Sequence, residues 1–101
     1  MQAQWSESEQ KILSNFLEGN RIVQLPAKQK KRLVILRWLL EHIDPMKRYP
    51  ESELNQLIAQ FHPDFATIRR ELYEFRFMDR EQGIYWIISE GETQTRFLRE
   101  E

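Results

Sequence analysis

The sequence contains no cysteine. A disulfide framework, a thiolate nucleophile and every zinc site built on sulfur are therefore excluded. Histidine is scarce as well: His42 and His62 are the only two, and no third ligand is spaced with them, so no metal and no cofactor is expected. Gly19, Gly83 and Gly91 lie too far apart to form a glycine-rich phosphate loop. Ser6 and Ser8 have no base near them in sequence. No catalytic residue is identified, the chain reads as a non-enzyme, and no small-molecule site is evident. No apolar run approaches the ~20 residues of a membrane span, since the longest, over residues 33–40, is interrupted by Arg37. The N-terminal Met1-Gln2-Ala3-Gln4 lacks the basic start and apolar stretch of a signal peptide, and a cytoplasmic location without membrane contact is expected.

What is present suffices for one core. Hydrophobic residues make up 41% of the 101 and aromatics 12%, too many for a disordered body. A chain of this length buries roughly 65% of its unfolded surface. The expectation is one domain over residues 1–88 followed by a charged tail over 89–101. The formal net charge is only −1, but residues 27–50 carry seven basic side chains against two acidic ones. A local basic footprint is set in a mildly acidic molecule.

Periodicity divides the chain into elements. Ser6-Glu7-Ser8-Glu9 matches a capping box, Ile12, Leu13, Phe16 and Leu17 form one stripe, and Gly19-Asn20 supplies a left-handed stop, predicting a helix over 7–18. Residues 21–26 alternate as a short edge strand or extended crossing closed by Pro26. A long helix is predicted over 27–43, with Leu33, Leu36, Leu40 and Ile43 on one face and Ile35, Trp38 and Leu39 widening it; Asp44-Pro45 ends it. The connector 47–50 has room for one extended residue pair. Leu54, Leu57, Ile58 and Phe61 predict a helix over 51–61, and Asp64 caps another over 65–76 with Phe65, Ile68, Leu72 and Phe75 inward. Two β-rich runs separated by Glu81-Gln82-Gly83 predict a hairpin, with Ile84, Trp86 and Ile88 on one side and Tyr85 and Ile87 on the other. Trp38 and Trp86 are expected in the core, whereas Trp5 is free to anchor the N-terminus or meet a second subunit.

The resulting fold class is α+β, mostly helical: about four helices with a C-terminal β-hairpin wing. From residue 27 the order is helix, extended connector, helix, tight turn, helix, hairpin, which is winged-helix-like. The three-residue turn His62-Pro63-Asp64 has the length of a helix-turn-helix turn.

The residues also carry a family resemblance. Leu25-Pro26-Ala27-Lys28, Lys31-Arg32, Arg48-Tyr49 with Glu51, Glu53 and Asn55, Phe61-His62-Pro63-Asp64, Ile68-Arg69-Arg70, and Asp79-Arg80 through Tyr85-Trp86 fall in one order over about residues 12–88. In this the chain resembles bacterial domain of unknown function 2087. That family occurs alone or attached to helix-turn-helix repressor domains, and the resemblance implies a link to transcription. Two departures are visible: Pro50 stands where the family tends to have a hydroxyl cap, and Ile87 where it often has a basic residue.

The candidate nucleic-acid-binding residues are Lys28, Lys30, Lys31, Arg32, Thr67, Arg70 and Tyr73. The basic cluster at 28–32 occupies the positive end of a helix dipole, where lysine is unfavourable. A solvated helix turn explains the same residues, and phosphate contact gives the placement a use. Thr67, Arg70 and Tyr73 are expected on the outward face of the fourth helix, where base edges or phosphates would be met. Glu71 and Glu74 oppose that use, and Arg70 is spaced to pair with Glu74. Arg69 and Arg76 border the apolar stripe as structural ion pairs with Glu53 or Asp79. Two partner classes stay open: duplex DNA, or a protein partner including a second copy of this chain.

Overall fold

The computed structural model describes residues 5–88; the tail expected over 89–101 lies outside them. Helix α1 spans Glu7–Phe16 and opens as its sequence dictates. Ser6 Oγ accepts the Glu9 N–H at 3.1 Å, and Glu9 Oε1 accepts the Ser6 N–H at 3.0 Å. The helix ends two residues before the predicted boundary. Leu17–Glu18 (β1) pairs antiparallel with Arg21–Ile22 (β2), so Gly19, at φ 62°, turns a β-ribbon instead of closing a helix. The edge strand expected over 21–26 is thus realised only at its start. Pro26 is buried beside the next helix.

Helix α2 covers Gln29–Leu40, shorter at both ends than expected. Beyond Leu40 the winding tightens: the N–H groups of Glu41, His42 and Ile43 reach back three residues to Trp38, Leu39 and Leu40. Its most buried residues are Val34, Ile35, Leu36 and Leu39, joined by Ile43, while Leu33 and Leu40 are only half-buried. The inward stripe is therefore rotated from the predicted one, because elements pack on this helix from more than one side.

Tyr49–Pro50 (β3) leads directly into helix α3, Glu51–Ala59, and α4 spans Phe65–Glu74. Pro50 gives α3 no side-chain cap, and the Glu51 N–H instead reaches the Gly83 carbonyl at 2.9 Å. Asp64 Oδ1 accepts the Thr67 N–H at the start of α4. At the other end of α4 the Phe77 N–H reaches Leu72 O and the Arg76 N–H reaches Tyr73 O. These are the two bonds of a Schellman motif, with Arg76 at φ 66° in the position glycine usually takes.

Met78–Glu81 (β4) and Ile84–Ile87 (β5) complete a three-stranded antiparallel sheet of order β3-β5-β4. The hairpin loop is two residues, not the expected three. Glu81 pairs with Ile84, and Gln82 and Gly83 both take positive φ (53° and 80°), the conformation whose twist suits a tight hairpin. Alternation holds along β5, with Tyr85 nearly inaccessible, but Trp86 lies on the other face and is only half-buried. Trp38 is also half-buried, packed edge-on to Phe61. The core expectation is corrected for Trp86, while Trp38 packs half-buried against the core; Tyr85, Met78 and Tyr49 fill its sheet side. Leu54 and Ile58 of α3, Ile68 and Leu72 of α4, and the α2 stripe fill the rest.

Over the described residues the fold is thus α+β and mostly helical, with four helices followed by a hairpin. Among the described residues, no helix is long and apolar enough to cross a membrane.

Candidate nucleic-acid interface

The outward face of α4 follows from its packing. Ile68 and Leu72 are fully buried. At about 100° per residue Arg70 points the opposite way, with its side chain 60% exposed. Glu71 and Thr67 turn toward one flank, Arg69 and Tyr73 toward the other. The nearest charge to Arg70 is Glu74, with Nε and Oε2 3.9 Å apart, a loose i, i+4 pair between exposed groups.

The first flank meets the start of α2. Arg32 Nη1 donates to both carboxylate oxygens of Glu71, at 3.1 and 2.9 Å, and its Nε donates to the Pro26 carbonyl at 2.9 Å. Both side chains are largely covered, at 21% and 16% exposed. Arg32 is thereby committed to joining α2 to α4, with Nε and Nη1 turned to the protein. The same bridge answers the charge of Glu71. Lys28, the N-cap of α2, and Lys31 stand four and one positions before Arg32, at the end of α2 that this bridge joins to α4. Lys30, two positions from Arg32, projects about 200° round the helix and is separated from the group. All three lysines are exposed, and none has a carboxylate partner among the described residues. No acidic residue stands in the first turn of α2, and Lys28, its N-cap, makes no side-chain cap bond.

The second flank meets α3 and the hairpin. Arg69 donates from Nη1 to Asn55 Oδ1 and lies 3.9 Å from Glu51 Oε2. Its expected partner Glu53 pairs instead with Lys47. Tyr85 Oη donates to Glu51 Oε1 at 3.4 Å and accepts from Arg80 Nη1 at 3.4 Å. The Arg80 guanidinium lies 4.3 Å above the Tyr73 ring. The hydrogen bond to Tyr85 is the main cause that raises the Arg80 pKa above the ordinary arginine value. Arg76 pairs with Asp79 at 3.7 Å, as expected. Arg80 belongs to a motif of the family resemblance but not to the candidate binding residues. Its signal is the hairpin register, which sets Arg80 opposite Tyr85 and hence on the helix-facing side. Trp86, on the far face, lies 4.3 Å under the guanidinium of Arg48.

Elsewhere, a shallow open cavity of about 500 Å³ between α1 and α2 is lined by Trp5, Gln10, Leu13, Leu17, Trp38 and His42, among others. No group of three or more histidine, aspartate or glutamate side chains among the described residues is arranged to hold a metal.

These features define a small α+β domain whose fourth helix is framed by cations on both flanks. Residues 21–87 match the family described as "Uncharacterized protein conserved in bacteria (DUF2087)", and the chain belongs to that family. No curated protein and no solved structure matches it.

Proposed function

We propose that this domain is a winged-helix module that binds duplex DNA in bacterial gene regulation, with α4 entering the major groove. The supporting observation is the Arg32–Glu71 bridge, which joins to α4 the end of α2 whose exposed lysines have no carboxylate partner among the described residues. The order α2, β3, α3, α4, hairpin and the strand order β3-β5-β4 support the winged-helix reading. The cations supply affinity through counterion release, and Thr67 and Arg70 face the base edges. Nothing in this reading calls for a cofactor, catalysis or a membrane, and the setting is the bacterial cytoplasm.

The test is fluorescence anisotropy with a labelled mixed-sequence 20-bp duplex, titrated from low to moderate salt. Non-specific binding at roughly 10⁻⁴–10⁻⁶ M is expected, with a logarithmic salt slope that shrinks by about 0.9 for each phosphate-contacting cation removed. Neutralising Lys28 and Lys31 together reduces that slope by about 2. If the wild-type chain leaves the duplex unbound at low salt, the proposal is wrong. A concentration-dependent dimer in sedimentation would then select the competing reading, a protein-contact module or homodimer.

A further inference from the structure

The second flank of α4 carries a cation that differs from the arginines around it. Arg69, Arg70 and Arg76 each have a carboxylate within 4 Å. Arg80, like Arg21 and Arg48 elsewhere, has none among the described residues, although it stands in a region dense with acids. Asp79 is taken by Arg76, and Glu51 is shared between Tyr85 and Arg69. Among the described residues no carboxylate answers the charge of Arg80, yet its guanidinium is held in place. One face lies 4.3 Å from the Tyr73 ring centroid, and Nη1 is tied to Tyr85 Oη. A guanidinium stacked in this way has lost much of its rotamer freedom and keeps donors at its rim for a planar acceptor.

Its position completes a geometry. The start of α2 lies on the Glu71 side of α4 and Arg80 on the Tyr73 side, with Arg70 between them. A helix with side chains is about 10–12 Å across, close to the ~12 Å width of a B-DNA major groove. Cations on both flanks of such a helix stand over the two phosphate backbones that border the groove. Tyr73 is half-buried with its ring face covered by Arg80, so it has little left to offer a base.

We propose that Arg80 contacts phosphate on the backbone opposite the one held by Lys28 and Lys31, and that Tyr73 is the positioning residue for Arg80. This rests on the duplex-binding reading above. It reassigns Tyr73 from a contact to a support and adds a contact from the hairpin.

The experiment is the same anisotropy titration on the full chain, reading the salt slope beside thermal stability. Arg80→Gln is expected to lower the slope by about 1 and to weaken binding about fivefold at low salt. Tyr73→Leu, which leaves the charge unchanged, reproduces most of that loss of affinity, and Tyr73→Phe keeps wild-type binding because the ring face is retained. The double variant Tyr73→Leu with Arg80→Gln binds no worse than Arg80→Gln alone. Arg80→Lys keeps the slope and loses about threefold in affinity, since an ammonium lacks the plane that stacks. If Tyr73→Leu does not fold, the Phe, Lys and Gln variants carry the test. A wild-type slope in Arg80→Gln, alongside a reduced slope in the Lys28/Lys31 variant, would overturn this inference and leave the duplex-binding reading standing. Additive losses at Tyr73 and Arg80 would overturn the positioning role. Absence of wild-type binding would remove the reading on which both depend.

Discussion

The start of α2 and the junction of α3, α4 and the hairpin are both crowded with charge, and they treat it in opposite ways. At the junction nearly every charge is answered: Arg69 by Asn55 and Glu51, Arg76 by Asp79, and Glu51 by Tyr85 as well. At the start of α2, among the described residues, only Arg32 is answered, by Glu71, and Lys28, Lys30 and Lys31 are exposed at the end of a helix dipole that disfavours them. Paired charge there holds elements together, whereas unpaired charge adds no stability and is available for contact. The contrast separates residues that build the domain from residues that use it.

The largest expected effect attacks the one bond shared by both roles. Glu71→Ala leaves Arg32 largely covered without its partner, and equilibrium urea unfolding should show a loss of about 2–3 kcal/mol. The next substitution should move stability the other way. Lys28→Asp gives α2 the side-chain cap it lacks, and the same measurement should report a gain of about 1 kcal/mol. Duplex affinity should fall several-fold at the same time. A residue whose loss stabilises the fold but weakens binding belongs to the second class, and a Lys28→Asp variant with unchanged binding would collapse the distinction.

The hairpin offers an effect of similar size on stability and none on binding. Gly83 has φ 80° with open space around its Cα, so Gly83→Ala meets no neighbour and bears only backbone strain, about 1 kcal/mol in thermal unfolding. Smallest is the pH response of the α3–α4 turn. His62 Nδ1 accepts the Asp64 N–H, and partial burial lowers the His62 pKa below 6.5. The unfolded chain therefore binds the proton more readily than the folded one. The His62 contribution should be complete above pH 6.5 and lost as pH falls through the lower folded value. A melting temperature that drops modestly from pH 7.5 to 5, with a smaller drop in His62→Gln, is the expected result.

Much of this was legible in the residues. The capping box at Ser6, the cap at Asp64, the inward stripe of α4 and the hairpin around Gly83 all rest on local chemistry, and each is found where its residues stand. Ends and partners were less legible. Gly19 satisfies a helix stop and a ribbon turn equally well, and only the pairing of β1 with β2 selects the second. Alternation along β5 separated Tyr85 from Trp86, but nothing local said which of the two faces inward. The basic run at 28–32 read as one cluster, and the helix winding divides it.

Sequence by itself therefore determined the order of the helices among the described residues, the hairpin, and where the basic surplus lies along the chain. These follow from periodicities of a few residues and from backbone preferences that act within one turn. Tertiary structure alone decided that Arg32 is spent on Glu71, that Arg69 takes Glu51 while Glu53 goes to Lys47, and that Arg80 comes to rest over Tyr73. Glu71 is 39 residues from Arg32. Whether two such charges meet depends on how the helices pack, and no local preference contains that information.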